Sequence, residues 1–171
     1  MSDRSIYTYG SQVLRKRAEP VAAVTPELQR LADEMLEAMY EAAGVGLAAP
    51  QVGESVRLFV MDVSRDEGKK EPLVFFNPEI VEASDDKETA EEGCLSVPDV
   101  WADVTRPSGI TVRALDRNGK PFELKNLDGL AARCVQHEID HLNGVLFVDK
   151  ISSTDRMLNE SRLKKMARAV R

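Results

Sequence analysis

Residues 128–144 read DGLAARCVQHEIDHLNG, and the fold is decided by how that stretch is read. Leu130, Cys134, Val135, Ile139 and Leu142 recur at helical spacing, Asp128 is a candidate N-cap and Asn143-Gly144 is a stop, so a mostly buried helix is predicted. Within it, His137 and His141 stand four residues apart, about 6 Å along the axis and about 40° from alignment, so two imidazoles can share one ion. Glu138 follows the first histidine, where its carboxylate can face the open side of that ion and handle the proton of a water there.

Strands gather upstream of this helix. Runs at 56–63, 73–76 and 80–81 are apolar and β-rich, with Asn77-Pro78 separating the last two. Alternation over 110–115, the turn Asp116-Arg117-Asn118-Gly119 and a run at 122–124 predict a hairpin. Thr25-Pro26-Glu27 opens a helix that carries Leu28, Leu31, Ala32, Met35, Leu36 and Met39 and ends before Gly44. A last helix over 154–170 has Leu163, Met166, Ala167 and Val170 as its stripe. Glu82, Asp85, Asp86, Glu88, Glu91 and Glu92 are expected in a solvated loop. The expected class is α+β, with mixed and antiparallel sheets around the central helix and helices at both ends. At 171 residues the chain suits one domain, 1–171.

A catalytic divalent site needs three protein ligands and a position for water. A third histidine six residues after His141 is excluded, because Phe147 stands there. Glu160 could supply a carboxylate from the last helix. Cys134 shares the histidine face but sits roughly 7.5 Å axially from the midpoint of the pair, too far for a side chain that tilts toward the N-terminus, and reads as a core thiol. Cys94, in EEGCLS (91–96), could approach from a neighbouring strand. At 44–51, GVGLAAPQ combines small residues that let backbone approach a ligand with an amide, Gln51, suited to a developing oxyanion.

The apolar fraction of 43% and charged fraction of 30% are those of an ordinary globule, with no apolar run near the roughly 20 residues of a membrane span. The start, MSDRSIYTYG, lacks a signal-peptide layout, and a reducing cytoplasm is the expected location. A net charge of −6 argues against DNA binding. The charge is uneven, since residues 151–171 carry six basic and two acidic side chains.

Taken together, GVGLAAPQ, EGCLS and QHEIDH (136–141) resemble the three signature segments of the peptide deformylases, in order and spacing, and the likeness runs effectively the full length. The resemblance implies that Cys94, His137 and His141 bind one divalent metal, natively Fe(II) and replaceable by Ni, Co or Zn. It implies that Glu138 acts on water at the metal and passes the proton to the departing amine, while Gln51 and the Leu95 N–H stabilise the oxyanion. The implied substrate is the N-formyl group of formyl-methionine on nascent chains. Gly44, Val45, Gly46 and Leu47 would crowd the formyl site, and Leu130, Arg133, Cys134 and His137 would wall the Met pocket. Trp101 departs from an arginine found in many relatives. Glu92 is a candidate ion-pair partner near the metal, and Asp140 with Arg106 another. The resemblance also implies ribosome contact near the exit through Arg162, Lys164, Lys165, Arg168 and Arg171, and a monomer is expected.

Overall fold

The computed structural model describes residues 4–64 and 68–170. Thr25 opens α1 (Pro26–Glu41) by accepting a hydrogen bond from the Leu28 N–H at 3.2 Å, with Pro26 in the first turn. Leu31, Ala32, Met35, Ala38 and Met39 form its buried stripe. The helix closes through Ala43, held at φ 56°, while the Gly44 N–H donates to the Met39 carbonyl at 2.9 Å.

Strands β1 (Gly46–Ala48), β2 (Leu58–Met61), β3 (Leu73–Ala83), β6 (Ile110–Leu115) and β7 (Pro121–Leu127) form one sheet in the order β1-β2-β3-β6-β7, every neighbouring pair antiparallel. The expected parallel component reduces to an isolated bridge between Glu19 and Val56. Asn77-Pro78 does not end a strand as expected. Asn77 takes φ 50° in a bulge of β3, and its amide exchanges two 2.9 Å hydrogen bonds with the Val21 backbone, so the strand runs on.

The acidic segment is the larger correction. Glu82 lies in β3, and Glu88, Glu91 and Glu92 lie in β4 (Lys87–Cys94), which pairs with β5 (Val97–Pro107) as a separate two-stranded antiparallel sheet. Along β5, Val100, Ala102, Val104 and Arg106 are buried and alternate with exposed residues. That period of two is a strand signal the sequence reading did not take up, and the charges on β4 masked its partner.

Helix α2 (Gly129–Leu142) lies between the two sheets. Ala132, Cys134, Val135, Ile139 and Leu142 pack on Phe59, Phe75, Ile110 and Val112 of the large sheet. Its other side is tied to the hairpin: Arg133 donates to the Val104 carbonyl at 2.9 Å, and Gln136 to that of Pro107 at 3.0 Å. Asp128 stands at the N-cap in extended conformation, but its side chain makes no capping bond. Helix α3 (Ser153–Ala169) is capped by Ser152 and buries Leu163 against Val97, Val100 and Phe147, leaving most of its surface exposed.

Candidate metal centre and active site

Cys94 ends β4, directly before the turn into β5, and faces the helix that carries both histidines. Ligand atoms of Cys94, His137 and His141 all lie within 4.8 Å of one another, with Cys94 Sγ 3.4 Å from His141 Nε2. Tetrahedral coordination with Zn–S near 2.3 Å and Zn–N near 2.0–2.1 Å puts sulfur and nitrogen about 3.6 Å apart, so the donor set fits a divalent ion of this size. Cys134 and Glu160 stand outside this set: Cys134 belongs to the core, and Glu160 is exposed on α3, paired with Lys164 at 3.1 Å.

The ring nitrogens are presented by a buried network. Burial alone would raise the Glu92 carboxyl, but hydrogen bonds from Arg106 and His137 outweigh it and hold Glu92 well below the usual carboxylate range. Glu92 accepts from Arg106 Nε at 2.6 Å, Arg106 Nη2 at 2.9 Å and Arg133 Nη1 at 2.7 Å. An ionised carboxylate only accepts, so the 2.9 Å contact to His137 Nδ1 places a proton on Nδ1 and leaves Nε2 for an ion. Burial opposes a positive charge on His137, yet Cys94 and Glu92 overcome it and lift the ring well above the ordinary imidazole value. The same negative groups that attract a proton there attract a cation. Burial holds His141 well below that value, so it presents a neutral imidazole, as a ligand must. Arg106 continues the network to Asp140 at 2.8 Å.

The sulfur is cradled as well. Ser96 donates its backbone N–H to Cys94 Sγ at 3.4 Å, and Gln51 Nε2 stands 3.6 Å from it while donating to Ser96 Oγ at 3.0 Å. Gln51 Oε1 accepts from the Ala48 N–H at 2.9 Å, so the amide is fixed in orientation. Ser96, fully buried, is a member of the site that the sequence did not single out; its place two residues after Cys94 was the available signal.

Glu138 is buried, and its Oε1 has no partner among the described residues; the same is true of Nδ1 of His141. Burial pushes the Glu138 carboxyl up to about 7, with His137 and Arg106 pulling against it. Gly46 is forced by this approach: a Cβ there would fall 2.6 Å from Glu138 Oε2 and 2.7 Å from Cys134 Sγ.

A cleft of about 510 Å³ opens over the centre. Gly44, Val45, Gly46, Gln51, Leu95, Leu130, Arg133, Cys134, His137 and Glu138 all line it. Leu47 does not; it is fully buried in the core under α1. β1 alternates faces there: Gly46 turns toward the cleft, and Leu47 toward α1. Arg133 is locked in place, with a further bond from Nη2 to the Glu88 carbonyl at 2.8 Å. Burial raises the Cys134 thiol well above its usual value, so it lines the cleft as a neutral group.

Residues 3–157 match the family model for polypeptide deformylase. The chain belongs to the peptide deformylase family. Among curated deformylases, that of Agrobacterium fabrum is 52% identical over 157 residues, covering 92% of each chain. The Rhizobium meliloti deformylase is 50% identical over 156 residues, covering 91% of this chain and 89% of the relative. A crystal structure of the Legionella pneumophila deformylase superposes with a TM-score of 0.88 at 48% identity, covering 96% of this chain and 95% of the other. The Synechococcus elongatus deformylase, solved in complex with actinonin, gives a TM-score of 0.88 at 46% identity, covering 96% and 89%. The α+β layout around α2 is thus the deformylase fold.

Proposed function

We propose that this chain removes the N-formyl group from the formyl-methionine of newly made polypeptides, releasing formate. The observation that carries this is the meeting of Cys94, His137 and His141 at the base of a cleft into which the buried, unpartnered Glu138 carboxylate also faces. A divalent cation held by those three residues supplies Lewis acidity and a water acidic enough to ionise near neutral pH. Glu138 Oε1 accepts the proton of the attacking water and returns it to the departing amine as the C–O bond forms and the C–N bond breaks. One N–H of Gln51 is held by Ser96; the other, beside the sulfur, and the Leu95 N–H are the donors for the oxyanion. Val45, Leu130, Cys134 and the stem of Arg133 offer the methionine side chain an apolar wall.

Iron(II) is the proposed native ion, with Ni, Co or Zn as replacements, since a thiolate and two imidazoles accept all four. The chain acts as one metallo-hydrolase domain over 1–171, as a monomer in the cytoplasm. On α3, exposed Arg162, Lys164, Lys165 and Arg168 favour contact with ribosomal RNA near the exit; Arg171 lies outside the described residues. Anaerobic purification with metal analysis, followed by formate release from a formyl-Met peptide beside its acetyl counterpart, tests the function. Equal rates on the two peptides, or none on the formyl one, would overturn it.

A further inference from the structure

Trp101 is the chain's one tryptophan, and the β5 alternation sends it outward, 64% exposed, while its neighbours Val100 and Ala102 are buried. An exposed indole usually swings, but this one is pinned. Gly93 lies beside it on β4, and a Cβ at Gly93 would fall within 2.8 Å of three atoms of the six-membered ring, so the ring packs against bare backbone. Gly93 adjoins Cys94, and Gly93, Cys94 and Trp101 all line the one cleft, so the indole stands at the opening that holds the sulfur. Val45 and Leu130 line the same cleft, so three of the seven large exposed apolar side chains among the described residues meet at one opening. Glu91 and Asp99 supply carboxylates to its rim.

Building on the hydrolysis assigned above, we propose that Trp101 is a specificity-determining residue, a fixed aromatic platform that takes the apolar or aromatic side chain of the residue following the formyl-methionine. Methionine itself has the wall formed by Leu130 and Cys134, so the next residue of an extended chain is the one carried out to the indole. A flat ring pre-set by Gly93 gives up little freedom on binding, and an aromatic partner can stack offset on it. The rim carboxylates disfavour an acidic residue at that position.

The test is formate release from formyl-Met-Xaa-Gly peptides, with Phe, Leu, Gly, Lys or Asp as Xaa, by the metal-loaded enzyme and its Trp101→Ala and Trp101→Phe variants. The wild type should favour Phe over Gly by about threefold to tenfold in kcat/KM, chiefly through KM, with Asp the poorest. The Phe-to-Gly ratio should fall to about twofold or less in Trp101→Ala and largely survive in Trp101→Phe. Because the protein has one tryptophan, its emission is a second readout: the product Met-Phe-Gly should shift it, and Met-Gly-Gly much less. A Phe preference that persists in Trp101→Ala, a wild type indifferent to Xaa, or Lys preferred over Phe would overturn the proposal. If no peptide yields formate, the hydrolysis reading fails instead, and the emission shift with Met-Phe-Gly still decides for or against the platform.

Discussion

Replacing Glu92 by glutamine removes one charge from the centre of the molecule and keeps the shape. In the wild type the two carboxylate oxygens share four contacts, two with Arg106, one with Arg133 and one with His137, between 2.6 and 2.9 Å. Glutamine offers one accepting oxygen and an NH₂ that must face donors, so one side of the set turns repulsive. The Glu92 and Arg106 side chains are 5% and 4% exposed, so water cannot replace what is lost. Removing one partner of a buried ion pair costs about 3–5 kcal/mol, and Asp140, still 2.8 Å from Arg106, places the outcome near the lower figure. His137 also loses the group that orients its ring, which typically weakens metal binding by about 10–100-fold. Urea unfolding of the loaded protein and competition against a graded chelator measure the two effects separately. A variant within about 1 kcal/mol of wild type that also holds its metal equally well would refute the reasoning.

Glu138→Gln should retain the metal at full stoichiometry and lose about 10²–10⁴-fold in kcat, because only the proton-handling group is removed; metal analysis and formate release on one preparation check both halves. Gln51→Ala should lower kcat by about 10²-fold or more, and an unchanged kcat would leave Gln51 only its bonds to Ala48 and Ser96. Next to the cleft, where its N–H donates to the Val45 carbonyl at 2.8 Å, the Asp62 side chain accepts from Tyr40, Ser64 and Glu71; burial raises its carboxyl, but those bonds prevail and leave its pKa lowered. Its contribution is therefore present above the unfolded value, about 3.9, and lost as pH falls through the lower folded one. Asp62→Asn should be less stable by about 1–3 kcal/mol at pH 7, with the gap closing below about pH 4, as followed by denaturant melts across pH.

The helix bearing the two histidines was legible because periodicity, a stop signal and two metal-binding side chains all fell in one local segment. The hairpin bearing Cys94 was harder, since pairing between β4 and β5 is a contact between strands, and the carboxylates of β4 read as solvated surface. Glu92 shows why. Its neighbour Glu91 is exposed, and only the resemblance, not the composition, sets Glu92 apart before Arg106 and Arg133 arrive from other elements. Leu47 was misplaced for a related reason: in a three-residue strand the facing direction is set by pairing with β2. Asn77-Pro78 carries the composition of a break, and the bonds from Asn77 to Val21, fifty-six residues away, turn it into a bulge.

The cysteine and the second histidine of the cluster are separated by 47 residues. During translation at about 5–20 residues per second, the thiol is made roughly two to nine seconds before its last imidazole neighbour. Throughout that interval the sulfur lacks the helix that later shields it, so a growing copy of this protein passes through a window of vulnerability to oxidants, one that closes only when the helix docks and ion capture becomes possible.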